Sequence, residues 1–144
     1  MLEKKYIKLK LTGKTKDEIL QELVEVLDNG GALENKDGFL KVVKEREATS
    51  STGLEEGIAI PHGKTKAVRK PAVAFGRSEG VDFNSLDGEK VRIVILVGVP
   101  KGESKKYLEL LSSLSRIFRD KKIRESILES TTTECLIEAI AEIG

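Results

Sequence analysis

Val91-Arg92-Ile93-Val94-Ile95-Leu96-Val97-Gly98-Val99 is apolar at nearly every position after Arg92. A strand with one wet face alternates apolar and polar residues. A continuous apolar run belongs to a strand covered on both faces, hence to a sheet with helices on either side. Asp87-Gly88, just ahead of the run, is a turn signal. Upstream, Ile58-Ala59-Ile60 reads as a short strand stopped by Pro61, and Ala72 to Gly76 as another. Tyr6, Ile7, Leu9 and Leu11 form a short first strand or an extended arm. Helical spacing governs the rest. Thr15 and Glu18 make a capping box ahead of Ile19, Leu20, Leu23, Val24 and Leu27, and Asn29-Gly30-Gly31 ends that helix. Phe39, Leu40, Val42 and Val43 predict a second helix over Lys36 to Glu47. Tyr107, Leu108, Leu110, Leu111, Leu114, Ile117 and Phe118 predict a third. A short helix follows Asp120, with Ile123, Ile127 and Leu128. The last is opened by a Thr131/Glu134 capping box and lined by Leu136, Ile137, Ile140 and Ile143. The expected class is α/β, a mixed sheet of about five strands flanked by helices on both faces. With no repeat, low-complexity stretch or linker, residues 1–144 read as one domain.

Composition narrows the function. The chain has 144 residues, 34% charged and 39% hydrophobic, a normal globular balance. Lys+Arg is 25 against Asp+Glu 24, leaving +1, so no net basic field drives nucleic-acid binding. One cysteine permits no internal disulfide, and one cysteine with one histidine cannot make a Cys/His zinc site. No metal or cofactor is expected. Cys135, in an apolar helix, reads as a core thiol. Lysines break up the apolar residues of Met1 to Leu11, so no secretory signal is read there. Ile93 to Val99 is far shorter than the ~20 residues a bilayer span needs. The expectation is a cytoplasmic protein without direct membrane insertion.

Chemistry concentrates in Arg46 to Lys64, REATSSTGLEEGIAIPHGK. Pro61 fixes φ and removes a donor, Gly63 allows close backbone approach, and His62 is expected in an exposed turn at a strand end. Ser50, Ser51 and Thr52 carry hydroxyl and amide donors suited to an anion, with Gly53 allowing a nest of N–H groups. Arg46 offers a planar fork for phosphate or carboxylate. Each feature has a plainer counterpart: a turn histidine, a surface arginine, a helix cap. Lys64, Lys66, Arg69 and Lys70 read as a solvated loop that lends the ground near His62 a positive potential.

Arg46-Glu47, Ser51-Thr52-Gly53 and Gly57-Ile58-Ala59-Ile60-Pro61-His62 resemble the active-site signature of the mannitol/fructose-type (type 2) enzyme IIA domains of the bacterial phosphoenolpyruvate-dependent phosphotransferase system. Gly80-Val81-Asp82-Phe83, Leu86-Asp87-Gly88, Val97 to Pro100 and Leu108-x-x-Leu111 with Leu114 extend the resemblance over nearly the whole chain. It implies the type-2 enzyme IIA fold and a phosphocarrier. His62 would accept a phosphoryl group from the phosphohistidine of HPr and pass it to a partner enzyme IIB, usually onto a cysteine. Arg46 would neutralise the phosphoryl oxygens, with Ser51 and Thr52 as hydrogen-bond donors. A neutral imidazole nitrogen is a good nucleophile near pH 7, and the other nitrogen needs an oxygen to hold its proton. Many members carry a second histidine where this sequence has Tyr107. Tyr107 reads equally as a hydroxyl donor to phosphate or as a helix-face aromatic, and supplies no positive charge at neutral pH. Nitrogen-type regulatory enzyme IIA proteins are also similar, and imply phosphorylation-dependent binding of regulatory protein targets instead. A third reading is a ligand-binding domain that has lost transfer.

Overall fold

In a computed structural model, which describes residues 3–141, the elements run β1 (Ile7–Lys8), α1 (Lys16–Asn29), α2 (Lys36–Thr49), β2 (Ile58–Ala59), β3 (His62–Lys64), β4 (Ala72–Val81), β5 (Val91–Val99), α3 (Ser104–Phe118), α4 (Lys121–Glu129) and α5 (Thr133–Ala141). β5 is the apolar run, and every residue in it except Arg92 is buried. It pairs antiparallel with β4 on one side. On the other side β2 and then β3 run parallel to it, making one edge of the five-stranded mixed sheet. β1 pairs parallel to β4 at the opposite edge.

Alternate side chains of β5 enter two cores, which is why the run could not alternate with polar residues. Val94 and Leu96 pack with Leu20, Leu23 and Leu27 of α1 and Phe39 and Val43 of α2. Ile93, Ile95, Val97 and Val99 pack with Leu110, Leu114 and Phe118 of α3, Ile123 and Ile127 of α4, and Leu136 and Ile140 of α5. The Thr15/Glu18 capping box of α1 is formed in both directions.

Several boundaries differ from the sequence reading, each for a local reason. The first strand keeps only Ile7 and Lys8, because Lys4–Tyr6 coils into a 3-10 turn and buries Tyr6. β4 runs five residues beyond Gly76. Polar Arg77 continues the ladder opposite Ile93, its guanidinium satisfied by the carbonyls of Leu9, Ile127 and Ser130. The cap of α5 is Thr132, one residue after the expected Thr131, its hydroxyl accepting from the Cys135 N–H. Cys135 itself is exposed rather than core, since the buried stripe of α5 is Leu136 and Ile140. The predicted core position Ile143 lies outside the described residues. No described helix is long and apolar enough to cross a membrane.

The difference that bears on function is β3. Pro61 was expected to stop the strand, yet the chain re-enters the sheet directly after it. Proline removes a donor but keeps an acceptor. The Pro61 carbonyl accepts from the Val97 N–H at 3.0 Å, and His62, Gly63 and Lys64 then pair with Val97, Gly98 and Val99. Gly63 and Gly98, side by side, let α2 lie directly on this edge. A Cβ at Gly98 would sit 3.1 Å from Phe39 Cζ, and one at Gly63 would sit 3.2 Å from Phe39 Cε1. This close approach fixes where the last turn of α2, with Arg46 and Glu47, emerges beside β3.

Candidate active site

His62 is half-buried on an edge strand, not free in an exposed turn. Its side chain shares the face of Val97, its register partner, and so points toward α3. There the Tyr107 ring meets it edge-on, with centroids 5.6 Å apart and planes at 67°. At an edge strand, groups from both helical layers can reach the same side chain. Arg46 arrives from α2, close enough for its charge to act on both His62 and Tyr107.

The imidazole is oriented by one hydrogen bond. Nδ1 lies 2.8 Å from the Ile60 carbonyl oxygen. A carbonyl only accepts, so Nδ1 carries the proton and Nε2 keeps its lone pair. Burial holds the ring's pKa below the ordinary imidazole value. The Ile60 carbonyl and Glu47 oppose that shift, and Arg46 adds to it. The ring is therefore neutral near pH 7, with a nucleophilic Nε2. Burial pushes the Tyr107 phenol above its ordinary value, with Arg46 opposing, so its hydroxyl remains a donor at neutral pH.

Arg46 is partly exposed, and Nη1 donates to the Ser50 carbonyl at 2.9 Å and to Ser50 Oγ at 3.3 Å. These bonds fix the guanidinium at the C-terminal end of α2. The hydroxyls expected to bind an anion are engaged elsewhere. Thr52 is buried, its hydroxyl donates to Glu47 Oε1, and its N–H donates to Glu47 Oε2 at 2.9 Å. Ser51 Oγ donates to the Phe83 carbonyl and accepts from the Gly53 N–H. The Ser51 and Thr52 hydroxyls and the Thr52 and Gly53 N–H groups thus serve as a scaffold, turned into the protein.

That scaffold reaches the histidine. The Lys16 ammonium on α1 lies 3.1 Å from Glu47 Oε2. Glu47 holds Thr52, and the Thr52 carbonyl accepts from the Ile60 N–H at 3.1 Å. The Ile60 carbonyl in turn holds His62 Nδ1. A chain of hydrogen bonds thus runs from α1 through the buried carboxylate to the imidazole. The sequence places Glu47 in the signature beside Arg46 but assigns it no role. The available signal was its place four residues after Val43 and eight after Phe39, on the buried stripe of α2. Replacing Glu47 by alanine would strand a largely covered ammonium and the Thr52 N–H. Breaking such a pair costs about 3 kcal/mol. Urea unfolding followed by circular dichroism should show that loss, and an unchanged midpoint would refute the assignment.

Residues 1–143 match the family described as "Phosphoenolpyruvate-dependent sugar phosphotransferase system, EIIA 2". The fructose-specific EIIABC component of Bacillus subtilis (strain 168) is 41% identical over 141 residues, 97% of this chain, which spans 22% of that protein's length. The crystal structure of nitrogen regulatory protein IIA-Ntr from Neisseria meningitidis superposes with a TM-score of 0.87 at 31% identity, covering 94% of this chain and 93% of that one. Enzyme IIA-mannitol from Escherichia coli, in its NMR complex with phosphorylated enzyme IIB-mannitol, superposes with a TM-score of 0.84 at 27% identity, covering 99% and 98%. The match over nearly the full chain, together with the fold shared with these domains, establishes that the protein belongs to the type-2 enzyme IIA family of the phosphoenolpyruvate-dependent sugar phosphotransferase system.

Proposed function

We propose that the protein is a histidine phosphocarrier, loaded on His62 Nε2 by phospho-HPr and unloaded onto an enzyme IIB. The observation that carries the reading is the His62 Nδ1–Ile60 carbonyl bond, which leaves Nε2 unprotonated on a neutral ring. In the reaction, the Nε2 lone pair attacks phosphorus in line as the donor's N–P bond breaks. The electron pair of that bond returns to the donor imidazole. Both rings keep their other N–H, so no proton need move. The phosphoryl charge spreads over three equatorial oxygens and requires neutralisation. Arg46 supplies a fixed cation and the Tyr107 hydroxyl a donor. Ser51 and Thr52 act through the scaffold and not by touching phosphate.

Partner docking is supported by Leu108, which follows Tyr107 in sequence and is 65% exposed. An exposed large apolar side chain next in sequence to a site residue suits a transient interface. The likeness to the E. coli mannitol protein in complex with phosphorylated enzyme IIB supports an enzyme IIB acceptor. With a donor and an acceptor of this kind, the carrier would work in the cytoplasm.

Incubation with phosphoenolpyruvate, enzyme I and HPr should load one acid-labile phosphate per chain, and a fructose-class enzyme IIB should remove it. Absence of label would refute the carrier reading. The likeness to nitrogen regulatory protein IIA-Ntr supports a second reading, in which the phosphate switches binding to other proteins. Label that forms but does not leave to any enzyme IIB would favour this second reading.

A further inference from the structure

Lys64 was read from sequence as part of a solvated loop. It lies instead on β3, two residues beyond His62, and alternation along the strand puts both side chains on one face. Gly63 between them faces Phe39 and α2. The Lys64 ammonium lies 5.7 Å from the centroid of the Tyr107 ring, the same ring that meets His62 at 5.6 Å. It donates to Ser104 Oγ, at the start of α3, at 2.7 Å. Histidine and lysine thus flank one aromatic side chain. The lysine is exposed and tethered only to a neutral hydroxyl. No carboxylate competes for it among the described ion pairs.

We propose that Lys64 is a second cationic ligand of the phosphoryl group on His62, exchanging the Ser104 hydroxyl for a phosphoryl oxygen during transfer. This rests on the carrier reading above. The phosphoryl group brings two negative charges to a half-buried nitrogen, and Arg46 alone offsets one. Tyr107 is neutral and can only donate a hydrogen bond. A flexible ammonium on the same strand face supplies the second charge without moving backbone, because it already sits 5.7 Å from the centroid of the Tyr107 ring that His62 meets. The ammonium loses a neutral acceptor and gains a charged one, and charge-assisted bonds are the stronger class.

Phosphoramidate is a suitable probe, because a small donor removes any effect of Lys64 on partner docking. Nε2 takes the phosphoryl group and the departing nitrogen leaves as ammonia after protonation by solvent. Loading of the full chain should slow about 10- to 100-fold in Lys64→Met, and Lys64→Arg should recover most of the rate. Ser104→Ala frees the lysine from its tether and should load at least as fast as the unaltered protein. Lys64→Met loading within about twofold of the unaltered rate would overturn the proposal, since a lost charge contact is worth more. So would a Ser104→Ala loss equal to that of Lys64→Met, which would make Lys64 a fastener for the start of α3. Failure of the unaltered protein to take phosphate on His62 would instead refute the carrier reading, and the Lys64 role with it.

Discussion

Glutamine in place of His62 is expected to abolish acid-labile phosphate on this protein, from phospho-HPr and from small donors alike. The sequence holds one histidine, so no other imidazole can take the label. Glutamine approximates the ring's volume and its side-chain N–H can still reach the Ile60 carbonyl. It has no basic lone pair to attack phosphorus. The fold is expected to survive, because His62 is half-buried and takes part in none of the ion pairs among the described residues. Full label on the glutamine variant would remove His62 from the mechanism. The unaltered protein adds a pH signature. Acid protonates Nε2 and removes the nucleophile, so loading slows as pH falls through the folded pKa. Burial puts that midpoint below the ordinary imidazole value. Stability has the same sign. Below about pH 6.5 the unfolded chain binds the proton while the folded ring still resists it, so stability declines as pH falls. A loading profile with its midpoint above that of free imidazole would contradict the desolvated site.

How far the sequence disclosed this arrangement differs from residue to residue. The apolar run of β5 and the helical stripes of α1 and α3 were legible because burial on two faces and on one stripe leave different periods. β3 was not legible. Pro61 reads as a stop, and only tertiary pairing shows that its carbonyl still serves the ladder. The same error misplaced two residues: His62 was expected in an exposed turn, and Lys64 in a solvated loop. Ser51 and Thr52 show a different limit. Sequence gives the number of donors in a loop but not their direction, and here Glu47 and Phe83 take them. The need for an oxygen to fix the imidazole tautomer could be argued from chemistry alone. That the oxygen belongs to Ile60 required the structure.

Arg46→Met should slow loading of His62 by roughly 100- to 1,000-fold while leaving the fold intact. Removing a preorganised charge from a phosphoryl or oxyanion site carries a penalty of that order. Preorganisation is visible in the two bonds from Nη1 to Ser50, which hold the guanidinium before any phosphate arrives. Those bonds are exposed, so their loss should change unfolding free energy by only about 0.5 kcal/mol. Arg46→Lys keeps the charge but loses the planar fork and its grip on Ser50, and should fall between the unaltered protein and methionine. The variant also makes a prediction of opposite sign. Burial is the main cause of the lowered His62 pKa and Arg46 adds to it, so methionine should raise it and move the pH midpoint of loading upward. A more basic nitrogen is a better nucleophile once deprotonated. If Arg46 acted only by keeping the ring neutral, the rate deficit of the methionine variant would vanish at alkaline pH. If it neutralises the phosphoryl oxygens, the deficit persists on the alkaline plateau. Loading there within about threefold of the unaltered protein would end the clamp assignment. It would leave charge neutralisation at His62 to Lys64 alone.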